Sequence, residues 1–292
     1  MKLRAKKPEV KETRIKALIY ADRGVGKTHF CCSLPDTYYI DTENLEEYPH
    51  FVKMIRENRG DHIYLTEIGE IIKEVKALLS IKNDYKTLVI DSISFPYGWL
   101  SQLEAERLAK GDKEGTEYGA NLAKAKRLTF HLGILLSRLD MNVIVTSHER
   151  IKYEKNIEVG KIFDISDKMA YALGSVWRLA LQGQSRKLYI EKSRPPEMRT
   201  GDCIDFDNGY EVLKSLFGEE IFSRESKIEE LATKDQVSEF NNLIHLLKID
   251  EETIQKILMK ARSQTIDEMP TSTIQKCIDH YKQKIQGEEK AA

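Results

Sequence analysis

Residues 20–30 of the chain read YADRGVGKTHF: two glycines separated by Val25, then Lys27 and Thr28. Glycine takes the positive φ that a sharp curl demands. A curl at the start of a helix aims successive backbone N–H groups at one spot, a cradle for phosphate oxygens. A lysine directly after the curl reaches the outer phosphates, and the hydroxyl that follows is placed to hold Mg²⁺. Asp22, Arg23, Gly24, Val25, Gly26, Lys27, Thr28 and His29 are therefore the expected nucleotide contacts. Ala21 stands where the pattern G-x-x-x-x-G-K-T opens with glycine. That position ends a strand and starts the turn, so one methyl group costs little at negative φ and more at positive φ.

The flanks of this turn predict the fold. Four continuous apolar runs, 15–21, 37–43, 86–92 and 141–148, each end in small or polar residues, as strands buried on both faces of a parallel sheet do. Between them, apolar residues recur at helical spacing from Ile68 to Leu79 and from Leu122 to Leu139. Alternating strands and helices predict an α/β fold, a mostly parallel sheet with helices on both faces. Runs 175–181 and 186–192 flank a short Gln-Gly-Gln-Ser stretch and predict an antiparallel hairpin that extends the sheet. Beyond residue 225 come three short amphipathic helices, the first opened by the capping-box pair Thr233 and Gln236. The expected organisation is a basic arm at 1–13, a nucleotide-binding core at 14–222, a three-helix bundle at 223–286 with 218–232 as its linker, and a tail at 287–292.

Composition excludes several classes. With 292 residues, 41% hydrophobic content and a net charge of −1, the chain reads as one large soluble domain plus an appendage. It carries no global field that would draw it onto nucleic acid, so DNA binding must come from local patches. No apolar run is long enough to span a bilayer, and the basic N-terminus lacks the apolar stretch of a secretory signal. Cys31, Cys32, Cys203 and Cys277 show neither metal-ligand spacing nor a bridge framework, which favours a reduced, cytoplasmic setting.

Two carboxylates complete the chemistry. Asp91 closes the apolar run TLVID and precedes Ser92, the arrangement in which a strand-tip acid sits beside a Mg²⁺ shell. The plainer reading of Asp91 is a loop-capping acid. Glu43 lies two residues past Asp41 at the end of YYID. Tips of neighbouring parallel strands share the ligand crevice, where a carboxylate can orient and deprotonate the water that attacks a γ-phosphate. The residues alone leave a second reading of Glu43 open, an exposed acid in the stretch DTENLEEY.

YYIDTEN after GVGKT, then LVIDSIS, then VIVTSHE, resembles the ATPase core of RecA-type recombinases. The short helix after the turn and EYGANLAKAKRLTFHL, residues 117–132, resemble more specifically a phage-encoded group, RecA-like nucleotide-binding proteins of the AAA class that include single-strand annealing ATPases. The resemblance implies a RecA-like P-loop NTPase with Glu43, Lys27 and His148 as catalytic residues, His148 sensing the γ-phosphate. It also implies that the segment after His148 contacts single-stranded DNA. Arg150, Lys152, Tyr153 and Lys155 are its candidates, and Lys161 is a further basic residue there; a surface loop is the alternative. Residues 109–119 are an equally open candidate for a second DNA-facing loop. Lys192 and Arg194, near Arg199, match strand-end cations that reach the nucleotide of the next subunit; a plain basic strand end is the alternative.

The function so implied is a Mg²⁺-dependent ATPase acting on single-stranded DNA in phage DNA annealing or recombination. It would be a ring or filament of copies in the host cytoplasm, with the C-terminal helices available to a single-strand binding protein or another recombination partner. Two other readings stand beside it. A P-loop kinase of a small molecule needs an arginine-rich lid, for which only SRPPEMR (193–199) is a candidate. An ATP-binding assembly switch with little turnover needs no base at all.

Overall fold

The computed structural model describes residues 5, 7, 14–110 and 120–289, with side chains to 285. The basic arm therefore lies almost wholly outside the described residues, and so does most of segment 109–119.

In chain order the elements are β1 (Lys16–Ala21), α1 (Lys27–Cys32), β2 (Thr37–Asp41), α2 (Pro49–Glu57), β3 (Asp61–Tyr64), α3 (Ile68–Ser80), β4 (Thr87–Asp91), α4 (Ser94–Ala109) and α5 (Ala120–Arg138). Then come β5 (Asn142–Glu154), β6 (Ile157–Phe163), α6 (Asp167–Ala172), β7 (Ser175–Gln182), β8 (Ser185–Lys192), β9 (Cys203–Asp205), α7 (Gly209–Phe217), α8 (Lys234–Leu246), α9 (Glu251–Ala261) and α10 (Thr271–Glu289). The sheet order is β3-β2-β4-β5-β1-β7-β8-β9, with β6 paired to β5. β3 through β7 run parallel, and β8 and β9 add antiparallel. This is the α/β architecture expected from the apolar runs, with the C-terminal helices appended.

Alternation along a strand sends successive side chains to opposite faces, and β1 shows how both faces are used. Leu18 and Tyr20 join a core beneath α3 and α5, whereas Ala17, Ile19 and Ala21 join a second core beneath α1, α2 and α7. Both faces are buried, so from Ala17 to Ala21 the run carries no charged position. β3 escaped the sequence reading because it is a four-residue edge strand, half-buried at most, with no continuous apolar run. Ile221 and Phe222 are buried in the second core, so the start of the expected linker packs on the α/β layer.

The C-terminal helices form their own cluster around Phe240, Leu258, Met269 and Ile274, opened by the capping box of Thr233 and Gln236. They are tied to the α/β layer through Arg138, which donates to Glu229 at 2.9 Å and to the Glu268 carbonyl at 2.7 Å. Among the described residues no helix is long and apolar enough to cross a membrane.

Candidate functional site

Strand order decides what meets at the C-terminal edge of the sheet. β5 lies between β1 and β4, and β2 lies beyond β4. Four consecutive tips therefore point to one crevice: Ala21 pairs with His148 and Asp41 with Asp91. Such a crevice outside the strand ends is where open α/β sheets take ligands. A cavity of about 1040 Å³ opens there, and Lys27, Thr28, Glu43, Asp91 and His148 all line it.

The turn after β1 behaves as its glycines require. Gly24 has φ 75° and Gly26 φ 110°, values that an L side chain resists. Ala21 is the last residue of β1 and is absent from the positive-φ residues, so the methyl group in place of glycine costs little. Val25 turns its side chain into the core and Asp22 lies outside the cavity lining, which leaves these two only backbone roles. Arg23, Gly24, Gly26 and His29 line the cavity. The Lys27 ammonium donates to the Ala21 and Asp22 carbonyls at 3.0 and 3.1 Å. Burial lowers its pKa, and Asp91 and Glu43 work against that shift.

Asp91 is held from two neighbouring strands and a helix, β2, β5 and α1. Its Oδ2 accepts from the Tyr39 hydroxyl at 2.6 Å and the Thr28 hydroxyl at 2.8 Å, and its Oδ1 accepts from Thr146. The Thr28 and Asp91 oxygens are hard donors side by side. They suit Mg²⁺, which takes few protein ligands and keeps water or phosphate for the rest. The residues present thus fit a metal-bound triphosphate: a positive-φ cradle, a lysine and an oxygen pair.

Glu43 is presented by a turn built from Asp41, whose carboxylate accepts the Glu43 N–H at 2.9 Å and the Leu45 N–H at 2.5 Å. Thr42 locks this tip to the next, donating to the Ser92 carbonyl at 2.7 Å and accepting the Ser92 N–H at 3.0 Å. Glu43 Oε1 accepts from the Ser92 hydroxyl at 2.5 Å and from His148 Nε2 at 2.8 Å. The His148 hydrogen bond, more than the opposing effect of burial, brings the Glu43 pKa down to about 2. An ionised carboxylate only accepts, so His148 Nε2 is the donor; His148 Nδ1 is buried without a partner among the described residues. Of the two readings of Glu43, the exposed acid is right about accessibility, since its side chain is 44% exposed. That exposure is toward the cavity.

The remaining candidates lie elsewhere. The segment after His148, read as a loop, continues as β5 and returns as β6 in an antiparallel hairpin with a register shift at Lys152 and Tyr153, turned at Lys155 and Asn156, both at positive φ. Alternating β-branched and polar residues are what carry the strand on. Arg150 pairs with Asp164 at 3.4 Å, Lys152 with Glu154 at 2.6 Å and Lys161 with Glu149 at 2.6 Å, while Tyr153 is exposed. Lys192 and Arg194 sit at the opposite end of the sheet from Lys27, because β8 runs antiparallel to β7 and Lys192 pairs with Val176. Lys192 Nζ donates to the carbonyls of Ala170 and Leu173 at 3.0 and 3.2 Å, capping α6.

Sequence reasoning missed several residues of the site. Tyr39 and Thr146 hold Asp91 from within β2 and β5, and Ser92, noted in the sequence only as following Asp91, holds Glu43. Tyr48, Phe51, Phe95 and Trp99 line the outer wall, and Arg186 reaches the cavity from β8. Nothing local marked these, because the strand order brings them in.

The model of the AAA domain family matches residues 13–195, more than half of the chain. Among solved structures, the RadB recombinase matches at a TM-score of 0.42 and 16% identity, over 66% of this chain and 86% of that one. No curated protein matches. With its phosphate cradle and strand-tip acids inside the matched segment, the chain belongs to the AAA domain family of P-loop ATPases.

Proposed function

We propose that the protein binds ATP with Mg²⁺ and hydrolyses it, as an assembly of copies acting on single-stranded DNA in phage DNA annealing or recombination in the host cytoplasm. The observation that carries the hydrolase reading is Glu43. It shares one cavity with Lys27, Thr28 and Asp91, and both described hydrogen bonds to its carboxylate fall on Oε1. Ser92 and His148 thus orient the carboxylate, and Oε2 is the atom that takes the proton of the attacking water. A carboxylate fixed in this way acts as a general base by position, since the hydrogen bonds that orient it also lower its basicity. Lys27 holds the outer phosphates, and the P-loop N–H groups hold the rest. Thr28 and Asp91 would hold the metal, whose charge would ease the build-up of negative charge on the phosphate oxygens.

Further readings rest on this one. The β5–β6 hairpin carries the exposed Tyr153, with Arg150 and Lys152 on the same strand and Lys155 at its turn, residue types suited to stacking on a base and meeting phosphates. The Arg150–Asp164 and Lys152–Glu154 pairs are exposed and weak, so phosphates can replace those carboxylates, whereas Glu149, which pairs with Lys161, is buried. Lys192 and Arg194 are too far along β8 to serve their own nucleotide and would act on that of a neighbouring copy, as trans-acting cations do. The C-terminal helices offer a surface for a single-strand binding protein or another recombination partner.

An ATPase assay with and without single-stranded DNA tests the proposal. Mg²⁺-dependent turnover that rises with DNA is the expected result. Tight ATP binding with no turnover under either condition would replace it with an assembly switch. Phosphate appearing on a small acceptor would replace it with a kinase.

A further inference from the structure

Arg186 opens β8, and the chain direction decides where its side chain lies. β7 runs parallel to β1 and ends at the P-loop side of the sheet, so the hairpin turn at Gly183 returns the chain there, with Arg186 opposite Leu181. Phe206 N–H donates to the Arg186 carbonyl at 3.2 Å, and the guanidinium Nη1 donates to the Asp207 carbonyl at 3.4 Å. The side chain then crosses the P-loop: a Cβ built on Gly26 would stand 3.1 Å from Arg186 Nε, 3.5 Å from Cδ and 3.6 Å from Cζ. Glycine at 26 thus serves two needs, a φ of 110° and room for a guanidinium.

Arg186 is half-buried and lines both the large cavity and an adjoining one of about 760 Å³ that also touches Gly24. Of the nearby acids, Asp205 pairs with Lys187 at 2.6 Å and Asp207 offers only its carbonyl. Among the described residues no carboxylate pairs with Arg186. A guanidinium held beside P-loop N–H groups without an acid adds positive charge to an already electropositive spot. Arginine's fixed fork of donors matches phosphate oxygens.

The geometry points to Arg186 as a second cation of this chain's own nucleotide site, bonding phosphate oxygens of the bound nucleotide from the β8 side of the P-loop. This rests on the nucleotide-binding reading above. It also divides β8 by function, Arg186 serving the nucleotide of its own chain while Lys192 and Arg194, at the other end, serve another's.

The test is equilibrium binding of ATP and of inorganic tripolyphosphate, each with Mg²⁺, to the full-length protein and to Arg186→Ala and Arg186→Gln. The Gln variant keeps most of the aliphatic stem over Gly26, and thermal unfolding checks that each variant is folded. The expected result is that both variants lose about 10- to 100-fold in affinity for both ligands, the size of a lost charge-assisted hydrogen bond. Unchanged affinity of a folded variant for both ligands overturns the proposal. A loss for ATP alone overturns it too, because it would assign Arg186 to the base or ribose. If the unaltered protein binds neither ligand, the nucleotide reading itself fails, an outcome distinct from failure in the variants alone.

Discussion

Glu268 lies in the turn between α9 and α10 with 1% of its surface exposed, and it decides how firmly the C-terminal helices hold to the α/β layer. Its Oε1 meets His131 Nε2 of α5 at 2.7 Å and Lys76 Nζ of α3 at 3.3 Å, and its Oε2 accepts the Gln264 N–H at 3.0 Å. Burial pushes its pKa up, but His131, the Gln264 N–H and Lys76 together bring it from 4.5 down to about 2. At about 1.4 kcal/mol per pKa unit, that fall corresponds to about 3 kcal/mol of stability carried by the ionised form. The folded pKa is depressed, so this contribution is fully present above the unfolded pKa of 4.5 and is lost as pH falls toward 2. Glu268→Gln keeps the shape and removes the charge. Breaking such a buried pair typically costs about 3–5 kcal/mol. Urea unfolding at pH 7, followed by far-UV circular dichroism, should show a loss of about 3 kcal/mol in the transition that includes α8 to α10. At pH 3 the same comparison should shrink to roughly 1 kcal/mol. A variant as stable as the parent at pH 7, or a difference that does not change between pH 7 and pH 3, would refute the reasoning.

Other outcomes follow from the cleft. Lys27→Ala should abolish ATP binding or turnover, measured by equilibrium binding and phosphate release; unchanged turnover would remove the phosphate-cradle assignment. Glu43→Gln should leave ATP bound and slow hydrolysis by about 10²- to 10⁴-fold, and normal turnover would put the base elsewhere. Lys192→Ala and Arg194→Ala should reduce turnover only in assemblies. Mixing each with Lys27→Ala protein should restore some phosphate release, and silence in both mixtures would remove the trans-acting reading. Lys192→Ala should also lower thermal stability, because its ammonium caps α6.

The sequence was most legible where one local pattern carries one meaning. GVGKT marked the cradle because positive φ and a helix start leave few alternatives. The apolar runs marked β1, β2, β4 and β5 because both faces of each are dry. The segment after His148 was less legible. It read as a DNA-contacting or a surface loop, yet the chain continues as β5 and β6, since cross-strand pairing is a non-local property. The short edge strand β3 lacked the burial that writes a signal into the residues.

By itself the sequence determined that a phosphate-binding turn follows a buried strand, that acids end two others, and that helices close the chain, because each depends on residues close along the backbone. Only the tertiary structure decided that Glu43 would be gripped by Ser92 and His148, that Asp91 would gather Tyr39, Thr28 and Thr146, and that the two ends of β8 would lie at opposite ends of the sheet. The reason is strand order and direction. Placing β5 between β1 and β4, and reversing the chain at Gly183, brings together residues up to 163 positions apart, such as Arg186 and Arg23, which no local pattern can encode.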